Sequence, residues 1–196
     1  MKQAIANIKT HDRATSDFDI RHRWSFGANY ELPWGKNWQG LRGQVLSGWQ
    51  LNGASSWQTG MPFGVSLQQA VSGVIGLVAE RPNRLRDNLL VDNPTFGPNG
   101  QYLDLAAFGI PAPFTLGNAT RNVGVGPNRF ALDASLFKTF KLTERHTLQF
   151  RTEVFNVLNH PVFGNPNAAI GNANFGKITS LVSGPRQLQF ALKLLF

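Results

Sequence analysis

The chain has 196 residues, enough for one domain with its own core, yet charged residues make up only 15% of it, against roughly 25% in ordinary soluble domains. Its 20 glycines, 11 prolines and 11% aromatics suit many strands and turns and argue against a helical bundle, while the lack of cysteine excludes disulfides and thiolate chemistry. The net charge of +8 is scattered and forms no patch, which reads as loop and lumen charge rather than a surface for nucleic acid or other polyanions.

The first residues, Met1 to Asn7, lack the apolar stretch of a secretory signal. The best apolar run, Val74 to Ala79, falls far short of the roughly 20 residues of a membrane helix. The chain therefore either stays in the cytoplasm or belongs to something whose export signal lies upstream.

Period-two alternation, the mark of a strand with two unlike faces, dominates five segments of the chain. Over Asp19 to Pro33, Ile20, Trp24, Phe26, Ala28, Tyr30 and Leu32 oppose Asp19, Arg21, Arg23, Ser25, Asn29 and Glu31, with His22 an exception on the apolar face. Over Val45 to Thr59, Val45, Trp49, Leu51 and Trp57 oppose Gln50, Asn52, Ser56 and Gln58. Over Arg129 to Leu142, Phe130, Leu132, Ala134, Leu136, Phe140 and Leu142 oppose Arg129, Asp133, Ser135, Thr139 and Lys141, and Lys138 breaks the apolar face. Over Thr147 to Leu158, Leu148, Phe150 and Val154 oppose Gln149, Arg151 and Glu153. The last segment sets Leu188, Phe190, Leu192, Leu194 and Phe196 against Gln187, Gln189, Ala191 and Lys193. Each segment reaches the 9–11 residues that a tilted strand needs to cross a bilayer, where soluble strands are nearer 5–6.

The connections alternate in length. Compact turns are expected at Pro33 to Asn37 and at Thr143 to His146; long ones run from Gly60 to Asn128 and from Asn159 to about Pro185. Outer-membrane barrels have short periplasmic turns and long extracellular loops, and a structureless loop of such length is rare in a compact soluble domain. The reading is an all-β, antiparallel transmembrane β-barrel fragment of about five long strands. Residues 60–128 form a long extracellular loop, and Phe175 to Leu181 extends a strand above the membrane. Trp24, Trp34, Trp38, Trp49 and Trp57 suit an aromatic girdle, and Arg21, Arg23, Glu31, Asp133, Lys141, Arg151 and Glu153 face a polar lumen. An open five-stranded sheet leaves unpaired backbone at two edges in lipid, so missing residues or other subunits must complete the barrel.

No catalytic constellation is present: no P-loop, no His-Glu-x-x-His and no Gly-x-Ser-x-Gly. His11, His22, His146 and His160 lack metal-ligand spacing, and Asp12, Asp17 and Asp19 beside His11 match no calcium loop. Gly124 to Pro127 lacks the strand and helix of a dinucleotide site. Arg81 and Arg84, near Pro82, have the forks that suit carboxylate or phosphate ligands, but the favoured reading is a solvated loop. No enzyme activity, cofactor or metal is expected.

Several segments resemble the C-terminal part of TonB-dependent outer-membrane receptors, especially Oar-like ones with a carboxypeptidase-regulatory-like N-terminal domain. They include Phe18-Asp19-Ile20-Arg21-His22-Arg23, Tyr30-Glu31-Leu32-Pro33-Trp34-Gly35, Gly48-Trp49-Gln50-Leu51-Asn52-Gly53, Gln58-Thr59-Gly60-Met61-Pro62-Phe63, Arg81-Pro82-Asn83, Gly117 to Asn122, Asp133 to Lys138, Arg151 to Pro161 and Pro185 to Phe190, with the terminal Phe196. The resemblance implies a plugged barrel of the 22-stranded type, energised from the inner membrane and importing bulky nutrients. It also implies that Leu188, Phe190, Leu192, Leu194 and Phe196 look like the signal read by the barrel-insertion machinery. The partners expected are outer-membrane lipid, that machinery and the remaining barrel and plug of a parent protein, with TonB reached only through an N-terminal part. Neither a plug nor a TonB box occurs in these residues, so Met1 reads as an internal methionine or the start of a truncated gene. The residues leave open a pore or adhesin-like barrel without energy coupling, a soluble β-sandwich binding module using 60–128 as its binding surface, and a basic nucleic-acid-binding β-protein.

Overall fold

The computed structural model describes residues 13–73 and 79–196. In chain order these hold β1 (Arg23–Glu31), a helix α1 (Gly40–Leu46), β2 (Trp49–Gln58), β3 (Pro62–Phe63), β4 (Ser66–Leu67), β5 (Asn83–Arg84), β6 (Phe108–Gly109), β7 (Gly124–Val125), β8 (Arg129–Lys141), β9 (Thr147–Phe155), β10 (Ala169–Ile170) and β11 (Gln187–Leu195). The chain divides into two units. One, here the wall, comprises Arg23–Gln58, Phe130–Val162 and Ser183–Phe196; the other, here the loop unit, comprises the residues up to His22 with Thr59–Arg129 and Phe163–Val182.

The wall is a five-stranded sheet in the order β1-β2-β8-β9-β11, so all five expected strands form and each long strand neighbours the next. It is antiparallel throughout. Asn29 pairs with Asn52, Ser135 with Glu153 and Glu153 with Gln189, while Gly48 accepts from the Thr139 amide at 2.9 Å and Asn52 donates to Ser135 at 3.2 Å. This register keeps the two faces unlike from strand to strand. One carries rows such as Ala134-Val154-Leu188 and Leu136-Thr152-Phe190; the other carries Ser135-Glu153-Gln189 and Thr139-Gln149-Lys193. A slip of one residue would exchange the faces, so the alternating sequence itself fixes the pairing.

The ends of the strands differ from the sequence expectation. Asp19 to His22 lie ahead of β1, so Arg21 is not on the sheet and His22 is no exception to its apolar face; the His22 amide instead donates to the Thr59 hydroxyl at 3.2 Å. Val45 belongs to α1, and the second strand starts only at Trp49. β9 stops at Phe155 because Asn156 adopts φ 54°, a left-handed conformation that asparagine tolerates best after glycine. Its side chain fixes the turn, donating to the His160 and Gly184 carbonyls at 3.1 and 3.2 Å and accepting from the His160 amide at 2.9 Å.

The long connections are folded. Phe63, Val65, Leu67, Leu89, Tyr102, Leu103, Ala107, Phe108, Ile170, Phe175 and Ile178 form one apolar core drawn from both of them. Three two-stranded pairings frame it: β4 with β10 in parallel, and β3 with β7 and β5 with β6 antiparallel. Phe175 to Leu181 is not a strand; Phe175 and Ile178 turn inward to the core and only Leu181 makes a bridge, to Phe163. Gly60 sits where the chain passes directly against the Gly126 carbonyl, and a Cβ there would collide with it. The apolar run at 74–78 lies outside the described residues.

Candidate functional site

Two features of the molecule could carry function: the two-faced wall and the folded loops. On the apolar face of the wall, Leu188, Phe190, Leu192 and Leu194 stand side by side along β11, with Phe190 63% and Leu192 67% exposed, and Phe196 comes after the strand end. Phe150 of β9 stacks on Phe190 with ring centres 6.2 Å apart. Trp24 pairs across strands with Trp57 and stacks on Phe26 at 6.1 Å. Trp49 opens β2 at its other end, while Trp34 and Trp38 lie in the β1–β2 connection; all three of Trp24, Trp34 and Trp38 are exposed.

Lys138, the charge that interrupts this face, is only 2% exposed. Its ammonium donates to the Gln44 carbonyl at 2.6 Å and to the Ser47 carbonyl, and it lies 4.8 Å from the Phe140 ring centre and 5.4 Å from that of Trp49. The charge is thereby paired with the C-terminal carbonyls of α1, where the helix dipole favours a cation.

The opposite face is polar. Gly27, Asn29, Asn52, Ala54, Asp133, Ser135, Glu153 and Phe155 line a trough of about 500 Å³, floored by small residues and edged by amides and carboxylates. Asp133 accepts from the Asn156 amide at 2.8 Å, which ties the end of β9 to β8. Arg151 donates to Gln149 at 2.8 Å and lies 4.7 Å over the Phe137 ring. Among the described residues no ion pair joins Asp133, Lys141, Arg151 or Glu153 to one another; Glu31 reaches Lys36 at 4.0 Å. Arg23 and Glu31 occupy the two ends of β1, opposite Gln58 and Gln50. Phe137 and Phe155 stand in the polar parity, and alternation alone does not single them out.

Arg21 lies in the loop unit instead, in a cleft of about 180 Å³ with Thr15, Asp19, Thr59 and Asn122. Nearby, Asp17 accepts from Arg121 at 2.8 Å and from Asn122 at 2.6 Å; the Asn122 bond and then the Arg121 charge hold its carboxyl below the usual range despite the opposing effect of burial. Glu80 is buried and accepts from the Ser72 hydroxyl at 2.5 Å and from the Val71 and Ser72 amides at 2.7 and 3.0 Å. Burial pushes its carboxyl up, but these bonds together outweigh it and keep the group below its ordinary value of 4.5. Burial raises the Tyr102 hydroxyl, which donates to the Val125 carbonyl at 3.1 Å. Arg84 and Arg86 are engaged with Asp87 and Asp104, both at 3.1 Å.

Among the described residues no cluster of three or more His, Cys, Asp or Glu side chains could hold a metal ion, and no helix is long and apolar enough to cross a membrane. No curated protein and no solved structure matches the chain. A family model described as an outer membrane beta barrel domain matches residues 2–189. Matched over almost all of its length, with a long-stranded antiparallel sheet of one apolar and one polar face, the chain belongs to the family of outer membrane beta barrel domains and is a protein of the bacterial outer membrane.

Proposed function

We propose that the chain is a wall segment of a TonB-dependent outer-membrane transporter, contributing lipid-facing surface, polar lumen surface and outer loops to a barrel that imports nutrients. The observation that carries this reading is the wall itself. β1 and β11 are its two edges, and with five antiparallel strands between and including them, both edges run in the same direction. Joining them directly would create a parallel seam. An antiparallel barrel therefore needs an odd number of further strands, which fits a larger barrel with an even total.

In this reading the apolar rows of β8, β9 and β11 face lipid, and Leu188, Phe190, Leu192, Leu194 and Phe196 present the assembly signal. Trp49 and Trp57 stand eight residues apart on one strand, about 26 Å at ~3.3 Å per residue and about 20 Å once a tilt of ~40° is allowed for. That separation suits girdles at the two borders of an apolar band roughly 25 Å tall. Arg23, Asp133, Arg151 and Glu153 face the lumen, and the long connections lie outside the cell. The segment has no catalytic role; gating and energy coupling fall to a plug and to TonB.

The experiment is an immunoblot of fractionated cells with an antibody against the β11 segment. A heat-modifiable outer-membrane band several times heavier than 21.6 kDa, yielding plug peptides on mass fingerprinting, is expected. An outer-membrane band near 21.6 kDa would overturn the transporter reading and leave a short wall that closes with partners; a soluble band of that size would overturn both.

A further inference from the structure

The connection between β1 and β2 is not a plain turn. It runs from Leu32 to Gly48 and contains α1, a helix of seven residues, far shorter than an isolated helix needs for stability in water. Its stability must come from where it is docked. Lys138 shows the side: it stands on the apolar face of β8, in the same parity as Leu136 and Phe140, and its ammonium reaches the Gln44 and Ser47 carbonyls. Helix α1 thus lies against the apolar face of the sheet, not the polar one.

Three of its last four carbonyls have protein donors. The Gly43 carbonyl accepts from the Ser47 amide at 2.9 Å and hydroxyl at 2.6 Å, the Gln44 carbonyl from Lys138, and the Val45 carbonyl from the Trp49 indole at 2.9 Å. Exposed helix ends leave such groups to solvent, whereas apolar surroundings require a protein donor for each. Gly43 is buried because the Trp38 carbonyl passes where its Cβ would be. The outward surface, by contrast, is apolar: Trp34, Trp38, Leu41, Val45 and Leu46 are all exposed, Leu41 at 80% and Trp38 at 57%. Leu41 and Val45, four residues apart, share one side of the helix. The only charges between Trp34 and Ser47 are Lys36 and Arg42, both basic.

We propose that the segment Trp34 to Leu46 is a membrane-interface element that lies on the inner leaflet of the outer membrane. Its tryptophans and leucines sit at the boundary of the acyl chains, and Arg42 meets lipid phosphates, while Lys36 stays near Glu31. The segment borders the apolar face of β2 through Trp49, whose indole donates to the Val45 carbonyl, so on the membrane reading of the wall the occupant at its border is lipid. Aromatic residues at headgroup depth and basic residues beside anionic phosphates are how interfacial segments bind lipid. The inference rests on the membrane reading of the wall, with the short-turn end in the periplasm.

The chain has no cysteine, so single cysteines can be labelled cleanly. Leu41→Cys, Val45→Cys, Leu192→Cys and Gln149→Cys, each carrying a nitroxide, would be compared in isolated outer membranes by their accessibility to oxygen and to a water-soluble nickel chelate. Labels at 41 and 45 should resemble the one at 192, oxygen-rich and protected from nickel, and differ at least several-fold from the one at 149. Nickel access at 41 and 45 equal to that at 149, with 192 still protected, would overturn the interfacial element while leaving the wall in the membrane. Nickel access at 192 as well would overturn the membrane reading on which it rests. Using both 41 and 45 keeps the test decisive if one variant fails to assemble.

Discussion

At the scale of single residues, Lys138 and Glu80 illustrate the same rule from opposite signs: a buried charge persists only where its hydrogen bonds are complete. Replacing Lys138 with methionine keeps the volume and removes the donor, leaving the Gln44 and Ser47 carbonyls unpaired. Each stranded carbonyl costs about 1–3 kcal/mol. The expected outcome is faster amide hydrogen exchange over Gly40–Leu46, with exchange in β9 unchanged. Glu80 makes the loop unit sensitive to acid. Its folded-state pKa lies below 4.5, so the ionised carboxylate contributes stability at pH values above 4.5, and that contribution fades as the pH falls through the lowered value. Once the slowing of intrinsic exchange in acid is divided out, the protection factors of the Val71 and Ser72 amides should therefore fall between pH 6 and pH 3. Glu80→Gln should exchange faster already at pH 6 and show a much weaker acid dependence.

The elements reflect the two periods of the chain. In the wall, alternate residues meet different surroundings, so identical substitutions on neighbouring positions should have unlike costs. Leu192, mid-strand in β11 and opposite Phe150, belongs to the apolar face. Leu192→Arg should lower the stability of the assembled protein by about 2–4 kcal/mol, the cost of arginine at mid-membrane on a lipid-facing strand. Gln189→Arg, on the polar face of the same strand and opposite Glu153, should leave it nearly unchanged. Urea titration of the heat-modifiable band in outer membranes reads both, and equal effects would mean that the two faces do not meet lipid and lumen.

For the whole molecule the decisive quantity is strand parity. Edges that run the same way do not close directly into an antiparallel barrel. A cysteine at Ala28 in β1, combined in turn with cysteines at Leu188, Phe190 and Leu192 in β11, should give no intramolecular disulfide under mild oxidation of outer membranes. Cross-linking in any of the three pairs would show the two edges in contact and end the argument for intervening strands.

Much of this was legible in the sequence. The five long strands, their order, their two faces and the two kinds of connection all stem from period-two alternation, because one ladder of backbone hydrogen bonds puts every second side chain on the same side. The family match agrees with that pattern. What alternation cannot carry is anything set by contacts distant in sequence. The docking of α1 depends on Lys138 almost 100 residues away, so the stretch Val45 to Ser47 reads as strand when taken alone. The core of the loop unit joins Phe63 to Ile178, so it is assembled from two connections far apart in sequence. Asn156, not the end of an alternating run, decides where β9 stops. The sequence by itself determined the five long strands and the two unlike faces they present; the tertiary structure alone decided where the strands end, what covers Lys138 and how the long connections fold, since those depend on partners brought together only when the chain is complete in space.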